Sequence, residues 1–267
     1  MTIENPLSGN INAMRKMISF NCFSQRGTGK AHNEDAVLLD GQVHQGSVRE
    51  HGVVDTAQTH YFAVADGVSS GTRPRAASRR LLELLQTRLV TADASSSLSP
   101  ILGQVQRDYA ALAADPALYG MASTLVGVRL TGSVATIFNV GDSRAYLLVD
   151  GQARLLSRDH SLLNDMMDDG DITPAQAVNA ASFMRGLTCQ FIADAGFDEF
   201  SVNIGTHEVQ PGKRLLLCSD GLTEVLSDND IAALLAGGSA EDLRNACKAS
   251  RRAGGMDDFS VIVLALR

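Results

Sequence analysis

Carboxylates stand next to apolar runs at several separate points of this chain. Tyr61-Phe62-Ala63-Val64-Ala65 runs into Asp66-Gly67, and Leu215-Leu216-Leu217-Cys218-Ser219 runs into Asp220-Gly221. Thr136-Ile137-Phe138-Asn139-Val140 leads to Gly141-Asp142-Ser143-Arg144. Asn33-Glu34-Asp35 precedes the run Ala36–Leu39, and Asp257-Asp258 precedes Phe259–Leu266. Taken singly, an Asp-Gly after a strand is more often a turn than a ligand, and an acidic pair before a strand is usually a solvated loop. Asp142 with Arg144 can also be read as a local ion pair. Taken together, carboxylates at several ends of buried strands converge at one edge of the core. Unpaired, they would repel one another and each would carry a large desolvation cost. Few basic residues neighbour them, so hard divalent cations are the natural counter-charge, and all-oxygen ligation suits magnesium or manganese. Gly67, having no side chain, lets its own carbonyl approach a metal closely. Two cations about 3.5–4 Å apart, bridged by one carboxylate, lower the pKa of a water between them and neutralise charge developing on a phosphoryl group. Cations suited to phosphate lie close by in sequence: Arg26 and Lys30 before Asn33, Arg73 and Arg75 after Asp66.

The elements that must position these groups are legible from periodicity. Strands are expected at Ile18–Phe23, Ala36–Leu39, Tyr61–Ala65, Thr124–Leu130, Ala135–Val140, Ala145–Val149, Ala153–Leu156, Arg214–Cys218 and Phe259–Leu266. Asp150-Gly151 signals a tight hairpin and Pro211-Gly212 a type II turn. Pro74 opens a helix with Ala77, Leu81, Leu84, Leu85 and Leu89 on one face. Ser99-Pro100 opens a second helix and Thr173-Pro174 a third. Ser227 with Asp230 and Ser239 with Asp242 resemble capping boxes, and Gly237 and Gly254 sit where those two helices should stop. The order is mostly strand to strand with helices in pairs, unlike the strict alternation of a parallel doubly wound sheet. It suits antiparallel sheets covered by helix pairs.

The 267 residues are 45% hydrophobic and carry a formal net charge of −7. Such a chain can bury a large core without disulfides or structural zinc. The negative charge argues against nucleic acid or an anionic membrane as partner. Cys22, Cys189, Cys218 and Cys247 form no C-x-x-C pair and no zinc pattern with the six histidines, so a reducing compartment is expected. No basic segment followed by an apolar stretch opens the chain, and no apolar run reaches membrane-spanning length; a cytoplasmic protein is expected. Residues 1–16 read as a loose leader and 17–267 as one domain. Met166-Met167 and Phe183-Met184 read as packing, and His160 as structural rather than catalytic.

These residues, in order, resemble the protein phosphatase 2C family of metal-dependent serine/threonine phosphatases, especially its bacterial members. The resemblance is collinear from about Ile18 to Leu266. It is carried by Gly29-Lys30-Ala31-His32-Asn33-Glu34-Asp35, Ala65-Asp66-Gly67, Gly120-Met121-Ala122-Ser123-Thr124-Leu125 and Asn139-Val140-Gly141-Asp142-Ser143-Arg144-Ala145-Tyr146. Asp159-His160-Ser161, Cys218-Ser219-Asp220-Gly221-Leu222 and Gly255-Met256-Asp257-Asp258-Phe259-Ser260 complete it. The resemblance implies an α+β fold, a four-layer α-β-β-α sandwich of two antiparallel sheets flanked by helix pairs, with a dimetal centre at one end. It implies that Asp66 bridges two Mn²⁺ or Mg²⁺ ions, that Gly67 gives its carbonyl, that Asp220 and Asp257 complete the first site, and that Glu34 and Asp35 serve the second. It implies attack by a metal-activated water with no covalent phosphoenzyme. Relatives usually carry arginine at the position of Lys30, where it binds the substrate phosphate; lysine keeps the charge and loses the fork, and Arg26 is the alternative. The usual Asp-Asn is here Asp257-Asp258, and the usual Gly-Thr-Thr is Ala122-Ser123-Thr124. A third, weaker ion, as in many bacterial relatives, has Asp115 as its candidate. The expected substrate is a phosphorylated protein, made by a cognate serine/threonine kinase, and the expected state is a monomer. A small-metabolite phosphatase and a non-catalytic phosphoprotein-binding module of the same fold are the rival readings. The stretch of about 161–200 is expected to form a flap beside the metals, with an acidic helix at Asn164–Asp169 that contacts the phosphoprotein.

Overall fold

A computed structural model describes residues 17–177 and 180–267 of the chain. The expected leader, 1–16, lies outside the described residues. The first third of the chain forms β1 (Met17–Gln25), β2 (Asp35–Leu39), β3 (Gln42–Gln45), β4 (Val48–Asp55) and β5 (Thr59–Asp66). The helices α1 (Pro74–Thr91) and α2 (Leu98–Ala110) follow, then β6 (Ala122–Ser123), β7 (Leu125–Thr131), β8 (Val134–Val140), β9 (Arg144–Val149) and β10 (Gln152–Leu155). After α3 (Leu162–Asp168), α4 (Pro174–Ala177) and β11 (Phe191–Ile192) come β12 (Asn203–Glu208) and β13 (Arg214–Cys218). The chain closes with α5 (Asp220–Thr223), α6 (Asp228–Gly237), α7 (Ala240–Arg252) and β14 (Phe259–Leu266).

Two six-stranded antiparallel sheets result, in the orders β10-β9-β13-β14-β1-β4 and β12-β8-β7-β5-β2-β3. The two-residue period of a strand explains the layers. In β5, Phe62 and Val64 face the space between the sheets, while Ala63 and Ala65 lie under α1 and α2. In β14, Ile262 and Leu264 face the inter-sheet core, while Phe259, Val261 and Val263 pack with α6 and α7. The fold is thus the four-layer α-β-β-α sandwich.

Local chemistry behaves as its sequence dictates. Asp150 and Gly151 both take positive φ, at 50° and 79°, as the tight β9–β10 hairpin requires. Pro74 stands at the start of α1, and both α6 and α7 open with reciprocal capping boxes, Ser227 with Asp230 and Ser239 with Asp242. Two stops differ slightly: Gly238, not Gly237, takes the left-handed cap of α6, and α7 ends two residues before Gly254. The strands β3, β4 and β12 have no counterpart in the sequence-based expectations. They sit at or next to sheet edges, bury one face at most, and so show no sustained apolar signal.

Candidate metal centre

Register brings the carboxylates together. Asp35 at the start of β2 pairs directly with Asp66 at the end of β5. In the facing sheet β13 ends at Cys218 against Val261 of β14, so Asp220 and the pair Asp257-Asp258 emerge at one end of neighbouring strands. Asp142 occupies the β8–β9 turn. The Asp66 and Asp220 carboxyls lie within hydrogen-bonding reach of each other.

Burial and mutual repulsion show in the acid strengths. Burial, then the charge of Asp258, pushes Asp35 up to about 7; burial, then Asp142 and Asp257, pushes Asp220 up to about 7. Burial, then Asp35 and Asp220, holds Asp66 well above the usual carboxylate range. Burial, then Asp159, raises Asp142 to about 6. Asp35 Oδ1 and Asp220 Oδ1 are buried and have no hydrogen-bond partner. A set of enclosed carboxylates with orphaned oxygens is short of positive charge, and the donors are all hard oxygens, so the residues fit divalent cations of the magnesium or manganese kind. Among the described residues, no group of three or more His, Cys, Asp or Glu stands in an arrangement that could hold a metal ion as the side chains lie.

The surrounding backbone is fixed closely. Thr124 N–H and Ser123 Oγ both donate to the Asp66 carbonyl, each at 2.9 Å, and Asp66 N–H donates to Thr124 Oγ1 at 3.3 Å. Ser219 Oγ donates to Asp35 Oδ2 at 2.8 Å. A Cβ at Gly67 would run into the Pro74 carbonyl, and one at Gly221 into the Asp258 carbonyl, so both Asp-Gly pairs require glycine for close backbone approach.

Two groups take roles the sequence did not suggest. Asp258 is fully buried and accepts from Gly27 N–H at 2.6 Å and from Glu34 N–H at 2.7 Å, which ties the Arg26–Glu34 loop to the start of β14. Arg251 in α7 donates to the Asp257 carbonyl at 2.6 Å and to the Arg26 carbonyl at 3.2 Å, linking the same two loops. The doubled aspartate was the available sequence signal for the first; nothing marked the second.

The expected phosphate cations Lys30 and Arg26 both have partners within the chain. Lys30 Nζ stands 2.9 Å from Glu34 Oε2, 3.3 Å from Asp258 Oδ2, and against Asp257 Oδ1. Burial alone would lower its pKa, yet the hydrogen bonds to Asp257 and Glu34 carry it well above its ordinary value. The Arg26 guanidinium donates to the Lys30 carbonyl. Asp115 is exposed and caps a turn, accepting from Ala117 N–H at 2.9 Å. Beside Asp220 a cavity of about 670 Å³ opens, lined by Asp142, Arg144, Asp159, Arg185 and Glu224 among others.

The region expected as a flap divides in two. Its first part carries α3 and the turn Ser182–Arg185, and lines this cavity. Its last part belongs to the core: Cys189, Phe191 and Ala193 are buried with α1 and α2, and the Phe191 ring meets Tyr109 edge-on at 6.4 Å. His160 is structural here: its Nδ1 accepts from Gly141 N–H at 3.1 Å, and its backbone N–H donates to the Gly141 carbonyl at 3.0 Å.

The chain is similar to known phosphatases. It is 29% identical over 248 residues to the serine/threonine protein phosphatase PstP of Mycobacterium tuberculosis, covering 90% of this chain and 43% of that protein. The chain therefore spans less than half the length of that relative. It is 30% identical over 223 residues to the serine/threonine phosphatase stp of Listeria innocua, covering 79% of this chain and 81% of that protein. Among solved structures, the catalytic domain of PstP in complex with two manganese ions superposes with a TM-score of 0.71 at 26% identity, over 94% of this chain and 99% of that one. A family model described as Protein phosphatase 2C matches residues 35–256. With the α-β-β-α sandwich and its converging carboxylates, this places the chain in the protein phosphatase 2C family.

Proposed function

We propose that residues 17–267 act as one phosphatase domain that hydrolyses phosphoserine and phosphothreonine on a protein. The observation that carries this reading is the set of enclosed, mutually repelling carboxylates with orphaned oxygens on Asp35 and Asp220. Asp66, Asp220, Asp257, Glu34 and the Gly67 carbonyl would hold two divalent cations, with Asp35 assisting through water. Bound there, such cations supply a water that is nucleophilic at neutral pH and offset charge on the phosphoryl oxygens. The protein's own part is positional. Ser123 and Thr124 fix the Asp66 backbone, Ser219 fixes Asp35, and Asp258 with Arg251 locks the Arg26–Glu34 loop to the Asp257 loop. A third, weaker cation would find carboxylates at Asp142 and Glu224, which flank Asp220 in the same cavity, rather than at Asp115. Among the described residues no helix is long and apolar enough to cross a membrane. A cognate serine/threonine kinase would supply the substrate, and the chain would act as a monomer in the cytoplasm.

The test is turnover of an aryl phosphate and of a phosphothreonine peptide with Mn²⁺, with Mg²⁺ and with chelator, beside Asp66→Asn. Turnover should need the metal, and Asp66→Asn should lose at least about a hundredfold while melting as the wild type does. Undiminished turnover by Asp66→Asn, or by the wild type in chelator, would remove the dimetal reading.

A further inference from the structure

A dianionic phosphate entering an acidic site needs a cation that is not already neutralised. Lys30 is surrounded by Glu34, Asp257 and Asp258, and Arg26, whose guanidinium donates to the Lys30 carbonyl, is not part of the wall of the cavity beside Asp220. Of the two arginines in the cavity beside Asp220, Arg144 is bound at both ends of its fork by Asp159, at 3.0 Å from Nε to Oδ1 and 2.6 Å from the terminal nitrogen to Oδ2. Arg185 is the other, and among the described residues no hydrogen bond or ion pair engages its guanidinium. The remaining charged groups of the wall, Asp142, Asp220 and Glu224, are acids, so an anion in this cavity is drawn to the Arg185 side.

Arg185 is also tied to the metal-side strands. It ends the turn Ser182–Arg185, and the next residue, Gly186, accepts from Leu162 N–H at 3.2 Å. Leu187 bridges Ser161, and Thr188 N–H donates to the His160 carbonyl at 3.1 Å. His160 in turn is bonded twice to Gly141, which directly precedes Asp142. A short chain of hydrogen bonds therefore sets the root of Arg185 relative to the carboxylates.

We propose, resting on the phosphatase reading above, that Arg185 is the phosphate-binding cation of this protein, closing on the phosphoryl oxygens from the flap side of the cavity. Its planar fork gives the bidentate recognition that Lys30 lacks. The test uses the full chain with Mn²⁺ and compares the wild type with Arg185→Ala and Arg185→Lys. The readouts are KM and kcat for 4-nitrophenyl phosphate, whose only anion is the phosphate, and the inhibition constant of inorganic phosphate. Arg185→Ala should raise both KM and that inhibition constant by about tenfold or more, the worth of one charge-assisted hydrogen bond, and Arg185→Lys should recover part of the loss. Mn²⁺ affinity by calorimetry and the melting temperature should not move, because Arg185 is exposed and touches no proposed ligand. Values within twofold of the wild type for the aryl phosphate and for inorganic phosphate would overturn the proposal. That holds even if phosphopeptide turnover falls, since Arg185 would then read the protein chain instead. A wild type that turns over neither substrate with Mn²⁺ would overturn the phosphatase reading and this inference together.

Discussion

Lys30 is the residue at which resemblance and geometry point to different partners. The resemblance implies a phosphate cation, while the ammonium lies against Glu34, Asp257 and Asp258. Two of those three carboxylates are proposed metal ligands, so the ammonium competes with a divalent cation for the same oxygens. Lys30→Ala should therefore tighten Mn²⁺ binding, measured by calorimetry, by roughly fivefold, the worth of about 1 kcal/mol for a partly exposed ion pair. Its KM for an aryl phosphate should change less than the metal affinity does. A raised KM with unchanged Mn²⁺ affinity would return Lys30 to the phosphate. Asp258 makes the same point: an extra acid beside a metal site is electrostatically costly in isolation. Its cost is offset here by two backbone N–H donors and the Lys30 ammonium.

At the scale of elements, the helix α3 is the one expected to meet a protein substrate. Its acids are not equivalent. Asp168 is paired with Arg158 at 2.5 Å, and Arg158 also donates to the Asn164 carbonyl at 3.1 Å, so Asp168 is spent on holding the helix to the loop before it. Asp169 and Asp171 are exposed and have no ion-pair partner among the described residues. Reversing the charge of Asp169 and Asp171 should change kcat/KM for a phosphopeptide several times more than for an aryl phosphate. Equal effects on both substrates, or none, would make this face a solvated one. Element by element, the strands with a buried face were legible to within a residue or two, as were both capping boxes, because each is encoded by neighbours two to four positions apart. The edge strands β4 and β12 were not, since half their side chains face solvent.

The molecule as a whole places repelling carboxylates at one end of its two sheets, and its stability should register this. Asp35 and Asp220 have an ordinary value of 3.8 and are raised to about 7 in the folded chain. A raised folded pKa means that the native state binds more protons than the unfolded one between those values, so stability falls as pH rises through that window. With chelator present, the melting temperature should decline between about pH 4 and pH 7 and level off above it. Excess Mn²⁺ should reverse the decline at the upper end, because it binds the native state alone. A melting temperature that rises across the same window in chelator would contradict the assignment of these acids as enclosed and unneutralised.

What the sequence determined by itself was local: apolar strands that end in aspartates, glycines after them, and enough periodicity to require two antiparallel sheets between helix pairs. From these the convergence of Asp35, Asp66, Asp220 and Asp257 follows, because strand ends in a sandwich have few places to go. The tertiary structure alone decided who neutralises whom. Lys30 and Asp258 are 228 positions apart, and Arg251 and Arg26 are 225 apart, yet each pair makes a hydrogen bond. Arg185 has no periodic or capping signature at all; its place in the cavity follows from the bonds that run from Leu187 and Thr188 through His160 to Gly141. Side-chain charge pairing depends on distances that only packing sets, and a linear pattern of residue types carries no such distance.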